Sequence, residues 1–164
     1  MKTFKQFISE IHTEDDIYDK PETNKHGQHV VYSDGSYEIH INKIGDATNA
    51  TVLHRPYFNE NSHYVGELHT SKIHKDLGHG EKQYLNVNYT QLGDEGDEDC
   101  PHKGRGLGTL MYKALLKHSH PDVAGIASKL SDRDNKREIP KIYKRLGADE
   151  PHAGYQTIHK DSSI

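Results

Sequence analysis

Three glycines fall within six residues in the segment Lys103-Gly104-Arg105-Gly106-Leu107-Gly108, directly before a strongly amphipathic stretch. Glycine lets the backbone approach a ligand closely and adopt conformations that other residues resist. Free N–H groups at the start of a helix, together with the positive end of the helix dipole, favour a pyrophosphate. Lys103 and Arg105 add positive charge at the same place. The segment therefore predicts a phosphate-binding loop, and the alternative is a tight strand-to-helix turn without a ligand.

The elements around the glycines would hold such a loop in place. Tyr84–Leu92 alternates apolar and polar residues, which is the period of a half-buried strand. Behind the loop, apolar residues recur at helical spacing over Leu107–Leu115. Val123–Ala127 predicts a short buried strand, and Ile139–Leu146 predicts a second helix that ends at Gly147.

Strands also dominate the chain before the loop. Tyr37–Ile41 and Ala50–His54 alternate in the same way, with a turn at Gly45-Asp46 between them. Residues 63–73 predict a further strand with imperfect alternation, and residues 155–159 predict the last one. Antiparallel strands followed by strand, helix, strand, helix and strand indicate a mixed α/β domain.

Two motifs in this order resemble those of the GNAT acetyltransferases. Lys103–Gly108 resembles the Arg/Gln-x-x-Gly-x-Gly/Ala loop that holds the pyrophosphate of coenzyme A in that family. Ile142–Ala148 resembles the family's Phe-Tyr-x-x-Leu-Gly-Phe signature, although Ala148 replaces the last aromatic residue and Lys103 replaces Arg or Gln. The resemblance covers about residues 84–148. It implies an α/β (mixed α+β) GNAT-like fold, with a central, mostly antiparallel twisted sheet splayed at the coenzyme A site and flanked by helices.

The same resemblance implies an acetyl-CoA-dependent N-acetyltransferase that acts on an amine and needs no metal. It places the family's general acid at Tyr143, which also falls on the apolar face of its helix and therefore packs as well. The residues expected to contact acetyl-CoA lie on the splayed strand, in the glycine loop and on the two helices: Val87, Asn88, Lys103, Gly104, Arg105, Gly106, Leu107, Gly108, Thr109, Asn135 and Tyr143.

A general base is harder to assign, because no carboxylate lies between Tyr84 and Leu92. Glu67 is the candidate, with Glu81 and Asp94 as alternatives, but no spacing supports any of them and surface charge explains each one better. A chain of water molecules could also remove the proton. The missing base favours a second hypothesis, a catalytically silent GNAT fold that serves as a binding or host-inhibiting module.

The acidic run Asp94–Asp99 precedes the glycines and is longer than is usual in the family. It would lie beside the acceptor side of the cleft, where it could attract a cationic amine. The alternative is a solvated loop without a specific role. The sequence leaves the acceptor open.

The first ten residues, Met1–Glu10, resemble the N-terminal packaging peptide of internal head proteins of T-even-like phages. In that group a head protease cuts after an apolar-x-Glu triplet, here Ile8-Ser9-Glu10. The resemblance implies a phage protein packed in the capsid and delivered into the host cytoplasm, whereas an ordinary amphipathic starter helix is the alternative. Residues 1–11 would then be a separate peptide, residues 12–28 a polar linker and residues 29–164 the GNAT-like domain.

Composition argues against several other functions. The formal net charge of -4 gives no general attraction to nucleic acid or to an anionic membrane, and no apolar run approaches membrane-spanning length. Cys100 is the only cysteine, so no internal disulfide can form, which suits a reducing compartment. The 14 histidines are scattered without zinc-finger spacing, and the tightest group is Cys100 with His102. We therefore expect no metal, nucleic-acid or membrane partner.

Overall fold

The computed structural model of the protein describes residues 16–54, 63–92, 106–130 and 139–160. Within these ranges the chain forms one sheet and two helices, and neither helix is long and apolar enough to cross a membrane. The elements in chain order are β1 (Glu22–Thr23), β2 (His29–Ser33), β3 (Tyr37–Ile44), β4 (Ala47–His54), β5 (His63–Asp76), β6 (Glu81–Leu92), α1 (Leu107–Lys117), β7 (Val123–Lys129), α2 (Ile139–Arg145) and β8 (Tyr155–His159).

The strands lie side by side in the order in which the chain makes them, from β1 to β8. Every neighbouring pair is antiparallel except β6 and β7, which run parallel because α1 connects them. The predicted mixed fold with a mostly antiparallel sheet agrees with this topology. The predicted flanking by helices is sparse in the described residues, since α1 and α2 are the two helices there.

The main core lies on one face of the sheet, beneath the helices. Alternate residues of the strands, among them Ile39, Val52, Leu68 and Leu85, pack against α1 and α2 in one cluster. The helical spacing predicted for α1 is confirmed, because its apolar positions are buried in this cluster: Leu107, Leu110, Met111, Ala114 and Leu115.

A smaller cluster lies on the opposite face. Tyr84 precedes Leu85 on β6, and Ala127 follows Ile126 on β7, so strand alternation turns these side chains away from the main core. They pack with Leu77. Both faces of this end of the sheet are therefore covered.

The segment 12–28 was predicted to be a linker, and its described part packs on the domain instead. Ile17 is 3% exposed and belongs to the main core. The backbone N–H of Tyr18 donates to Val31 O at 2.8 Å, and Lys117 Nζ donates to Ile17 O at 2.9 Å. One apolar residue in a polar stretch gives little periodicity, which is why the sequence did not reveal this contact. Residues 1–15, with the predicted packaging peptide, lie outside the described ranges.

Candidate functional site: a cleft between two diverging strands

The sheet opens between β6 and β7. These strands pair from Gln83↔Val123 to Asn86↔Ala127, and their register ends there. Beyond that point β6 continues to Leu92 beside β5, while β7 continues to Lys129 beside β8. Among the described strands, nothing pairs with the β7-facing edge of residues 87–92. The opening lies on the strand for which the resemblance to the GNAT family implies a splay.

Three hydroxyl-bearing side chains meet in this opening. Tyr112 comes from α1, Tyr143 from α2, and Ser128 from the part of β7 that lies beyond the last β6–β7 pair. Their hydroxyl oxygens are buried and make no hydrogen bond of normal geometry within the described residues, although they lie close enough to influence one another's pKa. Buried polar groups usually have partners, so an exception of this kind marks a candidate functional site.

Burial sets the protonation of both tyrosines. Loss of solvent raises the pKa of Tyr143 well above its ordinary value, and the neighbouring Tyr112 raises it further. Burial likewise raises the pKa of Tyr112 to about 12. Both phenols are therefore neutral at physiological pH and can act as hydrogen-bond donors.

The start of α1, which follows β6 in the chain, has a backbone that suits an anion. Gly106 caps the helix in the left-handed conformation, with φ 75°, and no side chain caps the helix. The first turn contains no acidic residue. The N–H groups of Leu107, Gly108 and Thr109 belong to the first turn, which has no acceptor inside the helix. Thr109 adds a buried Oγ1 without a hydrogen bond in the described ranges.

The backbone conformation at position 106 favours glycine. A positive φ of 75° is strained for any residue with a side chain, and a Cβ built at Gly106 would meet no atom within 4 Å. The space next to the backbone is therefore open to a ligand. Lys103, Gly104 and Arg105, predicted to complete the loop, lie outside the described residues, as do Asn135, Asp94 and the rest of the acidic run.

Val87 and Asn88 lie where β6 begins to leave β7. The side chain of Val87 is buried in the main core, whereas Asn88 is exposed on the other face and donates to Ser71 Oγ at 3.0 Å. The β5–β6 register shifts between His69 and Thr70, opposite this point. A bulge bends the strand there. The predicted contacts of Val87 and Asn88 with acetyl-CoA can therefore be made by the backbone and not by their side chains.

Glu67 does not join this cleft. It follows the exposed face of β5, with 41% of its side chain exposed and its carboxylate 3.8 Å from His69 Nε2. Its neighbour Leu68 points into the main core, where Tyr143 also lies. Strand alternation therefore places Glu67 and Tyr143 on opposite faces of the sheet. Glu81 is also exposed, beside His74 at 3.4 Å.

Sequence reasoning missed Tyr112 and Ser128. Tyr112 follows two apolar positions of α1 and belongs to no motif, so the sequence gives no signal that singles it out. Ser128 extends a buried apolar strand by one polar residue, and that interruption was the available signal. It also missed a grouping of His79, Asp149 and His159 on the opposite face.

Comparison with known proteins gives a likeness in fold. No family model and no curated protein sequence matches the chain. The crystal structure of the KacTA–DNA complex is similar, with a TM-score of 0.51 and 10% identity over 74% of this chain and 72% of that chain. A tyrosine-to-phenylalanine mutant of the AtaT toxin, bound to the C-terminus of the antitoxin AtaR and acetyl-CoA, gives a TM-score of 0.43 and 8% identity over 71% and 70%. The likeness to KacTA shows a shared fold.

Proposed function

We propose that the protein is an acetyl-CoA-dependent N-acetyltransferase that binds acetyl-CoA in the cleft between β6 and β7. The observation that carries this proposal is the buried hydroxyl of Tyr143, which lies without a normal hydrogen bond in the described residues at the point where the two strands part. A thioester sulfur placed in the cleft would give this hydroxyl a partner.

The pyrophosphate of coenzyme A would bind at the start of α1. Its first-turn N–H groups and the helix dipole attract an anion, and the absence of a first-turn carboxylate leaves that attraction intact. Lys103 and Arg105 precede the helix in the sequence and would add charge. The amide groups of the pantetheine arm would then pair with the β7-facing backbone edge of β6 beyond its last register pair with β7, from Val87 onward.

The transfer would join the acceptor nitrogen to the acetyl carbon as the carbon–sulfur bond breaks. The departing thiolate takes a proton from the Tyr143 hydroxyl, and the proton that the new amide nitrogen releases returns through water to the tyrosinate. The high pKa of Tyr143 keeps it protonated until that moment. Burial in the same cleft would also raise the pKa of the leaving thiol, which makes the departing thiolate a better proton acceptor. Tyr112 and Ser128 would orient the Tyr143 hydroxyl. Glu67 does not fit the role of base, because it lies on the other face.

The acceptor and the origin of the chain belong to the same proposal. We infer an amine acceptor, and we retain the interpretation of residues 1–10 as a phage packaging peptide that delivers the domain to the host cytoplasm. KacTA was crystallised with DNA. Our expectation of no nucleic-acid partner stays a prediction, which a mobility-shift measurement of this chain with duplex DNA would check.

A catalytically silent binding module is the second candidate, and the position of Glu67 favours it. One measurement distinguishes such a module from the enzyme. The enzyme releases free coenzyme A thiol when acetyl-CoA and a panel of cationic amines are supplied, whereas the silent module does not.

Binding of acetyl-CoA itself tests the proposal first. Saturating acetyl-CoA should raise the melting temperature, with about 2.7 kcal/mol of added stability at a concentration 100 times Kd. Gly106→Ala should remove most of this ligand-induced shift, because its Cβ enters the space that the pyrophosphate would occupy.

Gly35→Ala is the matched control. Gly35 also has a positive φ, 89°, and open space around a Cβ. Both variants suffer the same kind of backbone strain, but only Gly106 lies at the start of α1. An unchanged melting temperature of the native chain in acetyl-CoA, or an equal loss of the shift in both variants, would argue against the cleft as a coenzyme A site.

A further inference from the structure

Three residues that are distant in the sequence converge on the face of the sheet opposite the cleft. His79 lies in the turn between β5 and β6, Asp149 follows α2, and His159 ends β8. Asp149 Oδ2 is 2.9 Å from His79 Nε2 and 2.7 Å from His159 Nε2. One ligand atom from each of the three lies within 4.8 Å of the other two.

Each of the three is held in place by contacts that do not depend on the others. At the turn, Leu77 is buried and the backbone N–H of Gly78 donates to Asp76 Oδ1 at 3.0 Å, which presents His79. The backbone N–H of Asp149 donates to Thr157 O at 2.9 Å.

His159 is fixed by the sheet and by its neighbouring ring. It pairs with Gly125 of β7, and its ring lies edge-on to Tyr84 with centroids 6.0 Å apart. The histidine rings of positions 79 and 159 meet at 81°, with centroids 4.5 Å apart. The backbone thus prearranges two imidazoles and one carboxylate around a common point.

We propose that His79, Asp149 and His159 form a binding site for a divalent cation of the zinc class. Two imidazole nitrogens and a carboxylate oxygen are a ligand set that zinc accepts. Tetrahedral zinc at about 2.0–2.1 Å from its ligands separates them by roughly 3.3 Å. The two oxygen–nitrogen distances here, 2.9 and 2.7 Å, are shorter than that spacing by about 0.4 and 0.6 Å. Half of the His79 side chain is exposed, with a relative area of 50%, so solvent can supply a fourth ligand.

The convergence distinguishes this cluster from the other histidine–carboxylate contacts of the described chain. His120 lies beside Asp122, and His74 lies beside Glu81, but in each case one histidine faces one carboxylate. Such pairs are common at protein surfaces. At Asp149, two imidazoles from different elements meet at the same carboxylate oxygen. A metal there would replace the ring protons and join the β5–β6 turn, the end of α2 and β8.

The site would stabilise the fold, because the unfolded chain does not hold these ligands together. The test uses the full-length chain without an affinity tag, stripped of metal with a chelator and titrated with Zn²⁺ alone. We expect one tight site by calorimetry and a rise in melting temperature with zinc. His79→Ala and Asp149→Asn should each lower the affinity for Zn²⁺ by at least roughly 10–100-fold, which is the usual effect of losing an outer-shell partner of a metal ligand.

His120→Ala is the control, since it removes one histidine from an exposed pair that has no third ligand among the described residues, and it should leave the tight site unchanged. Co²⁺ supplies a second measurement on the unaltered chain. A tetrahedral visible spectrum without a thiolate charge-transfer band, abolished by one equivalent of Zn²⁺, would support the site and separate it from one that uses Cys100. The proposal is overturned if no tight site is found, if His79→Ala and His120→Ala weaken binding equally, or if the cobalt spectrum contains the thiolate band. Acetyl-CoA binding plays no part in these measurements.

Discussion

The rings of Tyr112 and Tyr143 meet edge to face, with centroids 5.8 Å apart and an interplanar angle of 75°. Both side chains are fully buried. The contact joins α1, at whose start the pyrophosphate would bind, to α2, which carries the proposed acid. Because edge-to-face packing fixes both rings, it also fixes the direction of the Tyr143 hydroxyl. The anion site and the proton donor therefore share one packed unit.

Tyr143→Phe should retain this packing and remove the proton donor. We expect turnover to fall by about 10²–10⁴, which is the usual contribution of a general acid, while the Kd for acetyl-CoA stays nearly constant. Release of free thiol measures the first quantity and calorimetry the second. Stability should change little, because the lost hydroxyl makes no normal hydrogen bond within the described residues.

Tyr112→Phe is the control for that substitution. It removes a neighbouring buried hydroxyl that we assign to orientation, so its turnover should fall less. Equal turnover in Tyr143→Phe and the native protein would leave Tyr143 as a core residue and nothing more.

Gly125→Ala should destabilise the domain strongly. A Cβ at Gly125 would overlap the carbonyl oxygen of Ile158 and lie 3.0 Å from His159 Cα, both of them backbone atoms of β8 that cannot rotate away. We expect a loss of about 3 kcal/mol or more in the free energy of unfolding, measured by denaturant titration. Gly45→Ala, with open space and a φ of 58°, should lose only about 1–2 kcal/mol through backbone strain. Equal losses would mean that β7 and β8 are not packed this closely.

His118 should make the domain less stable in mild acid. Its Nε2–H donates to Tyr18 O at 2.7 Å. Burial lowers the pKa of His118 below 6.5 in the folded chain. The positive charges of Lys117 and Lys43 lower this pKa further, whereas the negative charge of Asp19 raises it. Between the lowered pKa and 6.5 the unfolded chain binds more protons, so stability falls as the pH drops below about 6.5.

His118→Gln keeps a donor for Tyr18 O and cannot titrate. Its melting temperature should therefore fall less between pH 7 and pH 5 than that of the native protein. His29→Gln, at an exposed position of β2, controls for the loss of any histidine. Parallel pH profiles for the native chain and His118→Gln would contradict the assignment.

Deletion of residues 1–10 should leave the melting temperature and the affinity for acetyl-CoA nearly unchanged. The deletion spares Ile17 and Tyr18, which are the contacts that tie the start of the described chain to the core. A matching phage head protease should cut the full-length chain after Glu10, and Glu10→Ala should block the cut. Strong destabilisation on deletion, without cleavage at Glu10, would instead indicate a structural helix.

Periodic elements could be predicted from the sequence because burial on one face leaves a pattern in neighbouring residues. The last strand, Tyr155–His159, and the helix from Leu107 were predicted with their observed starts. The end of α2 was predicted from Gly147, which has φ 70°, and Ala148 N–H donates back to Tyr143 O at 2.9 Å.

The arrangement of the site could be predicted only where it depends on local sequence. Tyr143 follows from a motif and a helix face, and the structure places it in the cleft. Glu67 is a candidate by its charge alone, because the face of a strand on which a residue lies depends on register, which the imperfect alternation of residues 63–73 does not reveal. The convergence of His79, Asp149 and His159 depends on three separate chain segments, so no spacing along the sequence could show it.

The β6–β7 joint has a consequence for motion. Within the described residues, each strand pairs with its neighbours in chain order, and the four parallel register pairs from Gln83↔Val123 to Asn86↔Ala127 join strands β1–β6 to strands β7 and β8. Amide hydrogens at this β6–β7 junction should exchange with solvent sooner than those between β3 and β4, which share eight register pairs. A ligand that contacts both α1 and the edge of β6 would hold the two groups of strands together and slow that hydrogen exchange.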